Sequence, residues 1–494
     1  MANKRYGRGH AMLHQHNTSG EIVPVSSHPS VPVTQPPGEF RLDLLARQDQ
    51  FFQSGRTREI AYRLEQLQRL KAAIKEREQE IMAALYDDLR KHPTEAYMTE
   101  IGIVYAEITE VLKNLKSWAR PQKIASPLGF WPAKAEILRE PYGRVLIISP
   151  WNYPLQLALA PLIGAIAAGN VVVVKPSELA PATARVLYRL IGETFPPELC
   201  SVVEGGAEVS QKLLDQRWDH IFFTGSTSIG KIVAQAAARH LTPCVLELGG
   251  KSPCIITAQA NLDTAARRVV FGKFLNSGQT CVAPDYILVE SSIREAFISR
   301  LKSEITTLFG SSLLDNEQLP RIISARHFQR LQGLIEPQRV IFGGQSDAGR
   351  LLIAPTLMDG VDANDPVMQE EIFGPILPIL TIRNIEEAKN FIAQRDRPLA
   401  LYLFSDDRRE QKLILEGLSF GGGCINDTLL HVGIPDLPFG GVGASGLGNY
   451  HGRYSFECFT HQKSIVRNSS RIDFAFRYQP WTQFKDKLFR LFLR

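Results

Sequence analysis

The stretch His220-Ile221-Phe222-Phe223-Thr224-Gly225-Ser226-Thr227-Ser228-Ile229-Gly230 decides the fold. An apolar run, predicted as a strand over 220–224, breaks into glycine and hydroxyl residues. It resumes with helical spacing over 229–239. A helix that opens this way presents unpaired N–H groups and the positive end of its dipole to a phosphate. The dinucleotide fingerprint GxGxxG is not met, because Thr227 stands where its second glycine belongs. Gly225 to Lys231 also fits the opening of a phosphate-cradling NTPase loop, GxxxxGK. Ile232 then stands where that loop needs a metal-binding hydroxyl.

Outward from this turn, strands and helices alternate. Strands are expected over 144–149, 171–175 and 201–204, with helices over 155–168, 181–194 and 207–215. β-branched runs separated by helices imply a parallel sheet covered on both faces, with its ligand at the carboxyl ends of the strands. Residues 42–90 and 94–118 read as charged, amphipathic helices. Residues 120–141, broken by Pro121, Pro127, Gly129 and Pro132, read as an excursion or hairpin. A second α/β region is expected over 249–424. The first 38 residues, rich in His, Ser, Pro and Gly, read as disordered.

At 494 residues the chain exceeds one ordinary domain, and 44% hydrophobic residues suffice for a sizeable core. The net charge of +5 is spread along the chain and does not mark a nucleic-acid binder. Six cysteines without CxxC or CxxH spacing imply neither a zinc site nor a disulfide framework, and a reducing, cytoplasmic setting fits. Residues 145–174 carry no charge until Lys175, but their prolines and glycines read as strand, turn, buried helix and strand rather than a membrane span.

Two segments carry chemistry: Leu246-Glu247-Leu248-Gly249-Gly250-Lys251 and Asn276-Ser277-Gly278-Gln279-Thr280-Cys281. A lone cysteine is usually an inert small hydrophobe. Cys281 instead sits in a polar, glycine-bearing stretch where a substrate can approach the backbone. The pair suggests a thiol nucleophile and a carboxylate base, both on loops.

With Pro150-Trp151-Asn152-Tyr153-Pro154, Lys175-Pro176-Ser177-Glu178, Phe223-Thr224-Gly225-Ser226-Thr227, Glu370-Glu371-Ile372-Phe373-Gly374-Pro375 and Leu437-Pro438-Phe439-Gly440-Gly441, these segments form an ordered series. From about residue 40 to about 467 the chain resembles the aldehyde dehydrogenase superfamily, most closely its class 3 branch with the fatty aldehyde dehydrogenases. The resemblance implies an α/β fold with a Rossmann-type NAD(P)-binding domain over 39–247, of which 120–142 form an oligomerisation hairpin. A catalytic α/β domain then covers 248–425. Residues 426–467 return to the cofactor domain and add oligomerisation strands, and 468–494 form a tail with an amphipathic helix.

The resemblance also implies roles. Cys281 attacks the aldehyde carbon, and its thiolate is expected to be favoured by a cationic nicotinamide and a nearby helix N-terminus. The Asn152 amide and the Cys281 backbone N–H hold the oxyanion. Glu247 activates water, with Glu371 as the competing base. Gly225, Ser226, Gly230 and Trp151 fall to the cofactor, Lys175 and Glu178 to its adenosine ribose, and Glu371 and Phe373 to its nicotinamide half. Glu178 disfavours a 2′-phosphate, so NAD is preferred, with NADP also accepted. Tyr153, Phe439 and Tyr450 are candidates for an apolar tunnel, and no metal is called for.

The expected activity is oxidation of medium- to long-chain aldehydes by a homodimer. The segment 481–494 interleaves Trp481, Phe484, Leu488 and Leu491 with basic residues and suits contact with an anionic membrane surface. Two other classes stay open: a cofactor-independent cysteine esterase and a non-catalytic scaffold. Release of the thioester to coenzyme A is disfavoured by the presence of Glu247.

Overall fold

A computed structural model describes residues 42–492. The expected disordered tail, with its histidines and basic residues, lies outside the described residues.

A six-stranded sheet runs in the order Gly446–Leu447, Cys244–Glu247, His220–Thr224, Arg144–Ile148, Val171–Lys175, Cys200–Val202. All neighbours are parallel except the short first strand. From the central strand Arg144–Ile148 the chain winds outward through 171–175 to 200–202. It then returns to the other side for 220–224 and 244–247. The winding direction reverses between Arg144–Ile148 and His220–Thr224, and loops diverge there to leave a crevice at the carboxyl ends. The fully buried helix Gln156–Ala168 covers one face. Apolar after Gln156, it matches a helix with no solvent side.

The expected elements recur with small shifts. The helix after the phosphate turn is Thr227–Ala238, two residues earlier than predicted at its start, because Ser226 caps it by accepting from the Ile229 N–H. The strand expected over 201–204 is Cys200–Val202.

A seven-stranded sheet runs Val340–Phe342, Thr356–Met358, Ile376–Ile382, Tyr286–Glu290, Pro253–Ile256, Ala400–Phe404, Gly422–Ile425. Only the first strand is antiparallel to its neighbour. The segments with Cys281 and Glu371 lead into two adjacent strands of this sheet, Tyr286–Glu290 and Ile376–Ile382. The carboxyl ends of the first sheet therefore face the approaches to two strands of the second.

A third sheet of three antiparallel strands, Gln122–Ile124, Lys134–Pro141 and Thr460–Arg467, contains the expected hairpin. Thr460–Arg467 pairs along its whole length with Lys134–Pro141 of the same chain, and its other edge carries no strand among the described residues.

Candidate active site

One cavity of about 960 Å³ brings together Trp151, Asn152, Glu247, Cys281, Glu371 and Phe373. Its walls also include Gly225 and Ser226 of the phosphate turn, and Phe439 and Tyr450. Residues separated by more than two hundred positions meet there because loops leaving strand ends of the first sheet converge with two segments that lead into adjacent strands of the second.

Asn152 is buried on the loop after Arg144–Ile148. Its Nδ2 donates to the Gln279 carbonyl at 3.0 Å. Its own carbonyl accepts from Asn276 Nδ2 at 2.8 Å. The oxyanion candidate and the nucleophile segment are thus tied directly. That segment is sharply bent: Asn276 and Ser277 have φ of 52° and 51°, and Gly278 has φ of 72°. Gly278 packs so closely on the next loop that a Cβ there would lie 2.3 Å from the Gly374 carbonyl.

Glu247 corrects the expectation of a base on a loop. It is the last residue of the strand Cys244–Glu247, paired with Thr224 and Gly446. Neither carboxyl oxygen has a hydrogen-bond partner, and the residue is buried. Burial alone pushes its pKa well above the usual carboxylate range. Such a group stays protonated until water or substrate solvates it.

Glu371 is also pushed up, to about 8, first by burial and then by the Asp285 carboxylate. The Gly250 N–H and the ammonium groups of Lys251 and Lys273 pull the other way. Lys251 clamps this loop. It pairs with Asp285 and donates to the carbonyls of Val367 at 3.0 Å and Glu370 at 2.9 Å. Asp285 in turn accepts from the Ile372 N–H at 3.0 Å. Phe373, with φ of 51°, meets the Trp151 ring edge-on at 5.3 Å.

Cys281 is half-buried. Burial, then the carboxyls of Glu371 and Glu247, push its thiol above the ordinary range, while the N–H groups of Cys281 and Val282 oppose the shift. The protein's own groups thus favour the thiol, and the expected bias toward thiolate falls to the cationic nicotinamide. No helix begins at Cys281; a turn follows it.

The remaining expected positions divide. Tyr153 does not line the cavity: its hydroxyl shares a 2.6 Å hydrogen bond with Thr280 Oγ1, behind the nucleophile. Gly230 lies in the first turns of its helix, where a Cβ would come within 2.5 Å of Leu248. Lys175 and Glu178 form an ion pair of 2.8 Å at the carboxyl end of Val171–Lys175, outside the cavity wall. The sequence reading missed Lys273, which is fully buried with an unpartnered ammonium and is held down to about 8 chiefly by burial. Its position just before the nucleophile segment was the available signal. Among the described residues no group of side chains is arranged to hold a metal.

The unpartnered Glu247 carboxyl, the capped helix behind Ser226 and the cavity's mixed polar and aromatic wall fit a dinucleotide cofactor in the cavity that holds Cys281.

Residues 45–465 match the sequence model of the aldehyde dehydrogenase family. The chain is 50% identical over 433 residues to the 4,4'-diaponeurosporen-aldehyde dehydrogenase of Staphylococcus aureus, covering 87% of this chain and 94% of the relative. It is 46% identical to aldehyde dehydrogenase family 3 member A2 of Rattus norvegicus, covering 90% and 92%. A solved structure of Staphylococcus aureus AldH in a substrate-bound state superimposes with a TM-score of 0.90 at 48% identity, covering 92% of this chain and 99% of that one. The chain therefore belongs to the aldehyde dehydrogenase family, resembles its class 3 branch, and is an NAD(P)-dependent oxidoreductase of aldehydes.

Proposed function

We propose that this enzyme oxidises medium- to long-chain apolar aldehydes to carboxylic acids through a thioester on Cys281. The convergence of Asn152, Cys281, Glu247 and Glu371 on one cavity walled by Trp151, Phe439, Tyr450 and Leu157 carries the reading. The Cys281 sulfur adds to the aldehyde carbon, and the carbonyl oxygen takes up negative charge beside the Asn152 amide and the Cys281 N–H. Bound NAD or NADP supplies the hydride acceptor. Trp151 and Phe373 would orient it, Gly225 and Ser226 would meet its phosphates, and the Lys175–Glu178 pair would hold a ribose.

In the second half-reaction Glu247 takes a proton from water as the water oxygen bonds to the acyl carbon. The carbon–sulfur bond breaks, and the Cys281 thiolate leaves. Glu371, held by Lys251 and Gly250, orients the nicotinamide side and is the alternative base. The cofactor-independent esterase reading is less well supported, because hydrolysis alone does not call for the Ser226-capped turn opening on the same cavity. Reduced-nicotinamide absorbance with hexanal, decanal and a long-chain enal tests the proposal. Turnover rising with chain length supports it. No turnover with NAD or NADP, alongside full ester hydrolysis, overturns it.

We assign a cofactor domain over 39–247, a catalytic domain over 248–425 and a return over 426–467, a division that the grouping of strands into two larger sheets supports. The unpaired edge of Thr460–Arg467 suits strand pairing across a homodimer, which a sedimentation mass would show. The helix Gln483–Phe492 is amphipathic, with Phe484 and Leu491 exposed beside Lys485, Lys487 and Arg490. No helix of the described residues is long and apolar enough to cross a membrane. A cytoplasmic enzyme that touches an anionic lipid surface through this helix fits these features, and co-sedimentation with anionic against neutral vesicles checks it.

A further inference from the structure

Behind the oxyanion loop lies an ion pair with no access to solvent. Lys91 and Glu100 are each 0% exposed, and Lys91 Nζ lies 2.6 Å from Glu100 Oε1. Removing two charges from water costs stability that their attraction only partly offsets, and an apolar pair of similar volume often serves stability as well or better. The pair's contacts give another reason for its presence.

Lys91 Nζ donates to the Asn152 carbonyl at 3.0 Å and lies 4.0 Å above the Tyr153 ring. Glu100 Oε2 accepts from the backbone N–H groups of Leu155 and Gln156 at 2.9 and 3.2 Å. The helix Gln156–Ala168 has no side-chain cap of its own, so a carboxylate from another element takes that place. One ion pair thus grips both the residue with the oxyanion amide and the start of the next helix. Its two members sit at irregular backbone. Lys91 follows Arg90, which ends a helix at φ 55°. Glu100 lies in the π-helical turn Tyr97–Ile101, a widening frequent at functional sites.

We propose that Lys91 and Glu100 are positioning residues that aim the Asn152 amide at the developing oxyanion. This rests on the reading of Asn152 as an oxyanion donor. Removing such a donor costs ~10²–10³ in kcat, and a loosened donor forfeits part of the same factor.

The test is a cycle with Lys91→Met/Glu100→Gln, which removes both charges yet leaves an amide oxygen for the Leu155 and Gln156 N–H groups. Combined with Asn152→Ala, it separates a residue acting through Asn152 from one acting independently. The pair variant is expected to keep its thermal midpoint, its cofactor Kd and its aldehyde KM, while kcat falls at least about tenfold. In the Asn152→Ala background the same change is expected to cost less than about twofold. Equal losses in both backgrounds, or an unchanged kcat, overturn the proposal. An unchanged kcat in Asn152→Ala alone overturns the oxyanion reading instead. Should the pair variant not fold, Glu100→Gln alone is read by the same cycle with the same two outcomes.

Discussion

A Cβ placed on Gly249 would lie 2.0 Å from Glu371 Oε2. The loop that follows the strand Cys244–Glu247 and the carboxyl on the approach to another sheet are brought close by the absence of a single methyl group. Gly249→Ala must push the Glu371 side chain away, since no carboxylate tolerates that distance. The expected outcome is a rise in cofactor KM and a fall in kcat of about tenfold or more, since misplacing a reacting geometry by about 1 Å can cost about 10². Steady-state kinetics at varied NAD check it. An unchanged cofactor KM would show that Glu371 does not need this contact.

The buried, unpartnered Glu247 makes a prediction about order of events. If it serves only the second half-reaction, Glu247→Gln leaves acylation intact and blocks hydrolysis. One equivalent of reduced nicotinamide per site is then expected in the first turnover, followed by a steady rate about 10²-fold or more below that of the parent, as expected for loss of a general base. Intact-mass measurement would show the acyl group on the protein. Cys281→Ser is expected to lose the burst altogether. A Glu247→Gln variant with a normal steady rate assigns the base to Glu371.

Stability should depend on pH in a defined window. Glu371 is raised to about 8 and Glu107 to about 7, both chiefly by burial. A carboxyl raised in the folded state adds stability that is complete below its unfolded value and is lost as pH climbs through the folded value. The buried histidines His431 and His451, lowered to about 4, act oppositely, but only below about 6.5. Between about pH 6.5 and 8 the carboxyls act alone among these groups, so the melting temperature of the cofactor-free protein is expected to fall. Glu107→Gln should flatten that slope. A melting temperature that rises over this window contradicts the assignment.

How much of this was legible in the sequence follows from what each residue depends on. The strands at 171–175 and 220–224 were read at their observed bounds because unbroken apolar runs end at Lys175 and Gly225, which is local information. Cys281 stands out because its neighbours are small and polar and Glu247 because two glycines follow close behind it, whereas Asn152 was read from the family resemblance. Tyr153 was misplaced because an aromatic beside a site residue has two faces to turn to, and only the packed loop shows its hydroxyl on Thr280. The Lys251–Asp285 clamp and the Lys91–Glu100 pair were invisible for the same reason. Each joins segments whose approach is set by tertiary packing, and charged residues in such stretches ordinarily face water. The raised thiol of Cys281 also needed coordinates, since it arises first from burial and then from two carboxyls distant in sequence.

That bias can be measured at the sulfur. Burial and the carboxyls of Glu371 and Glu247 keep the thiol protonated in the cofactor-free protein, and reactivity follows the thiolate fraction. Alkylation of Cys281 by iodoacetamide, followed by peptide mass spectrometry, is therefore expected to be slower at pH 7.5 than that of a small exposed thiol. It should keep climbing beyond pH 9 without a plateau. Glu371→Gln removes the larger of the two carboxyl contributions and should raise the rate at pH 9. A plateau near neutral pH in the parent protein would mean that the thiolate is favoured before any nicotinamide arrives, and that the Cys281 and Val282 N–H groups outweigh burial and both carboxyls.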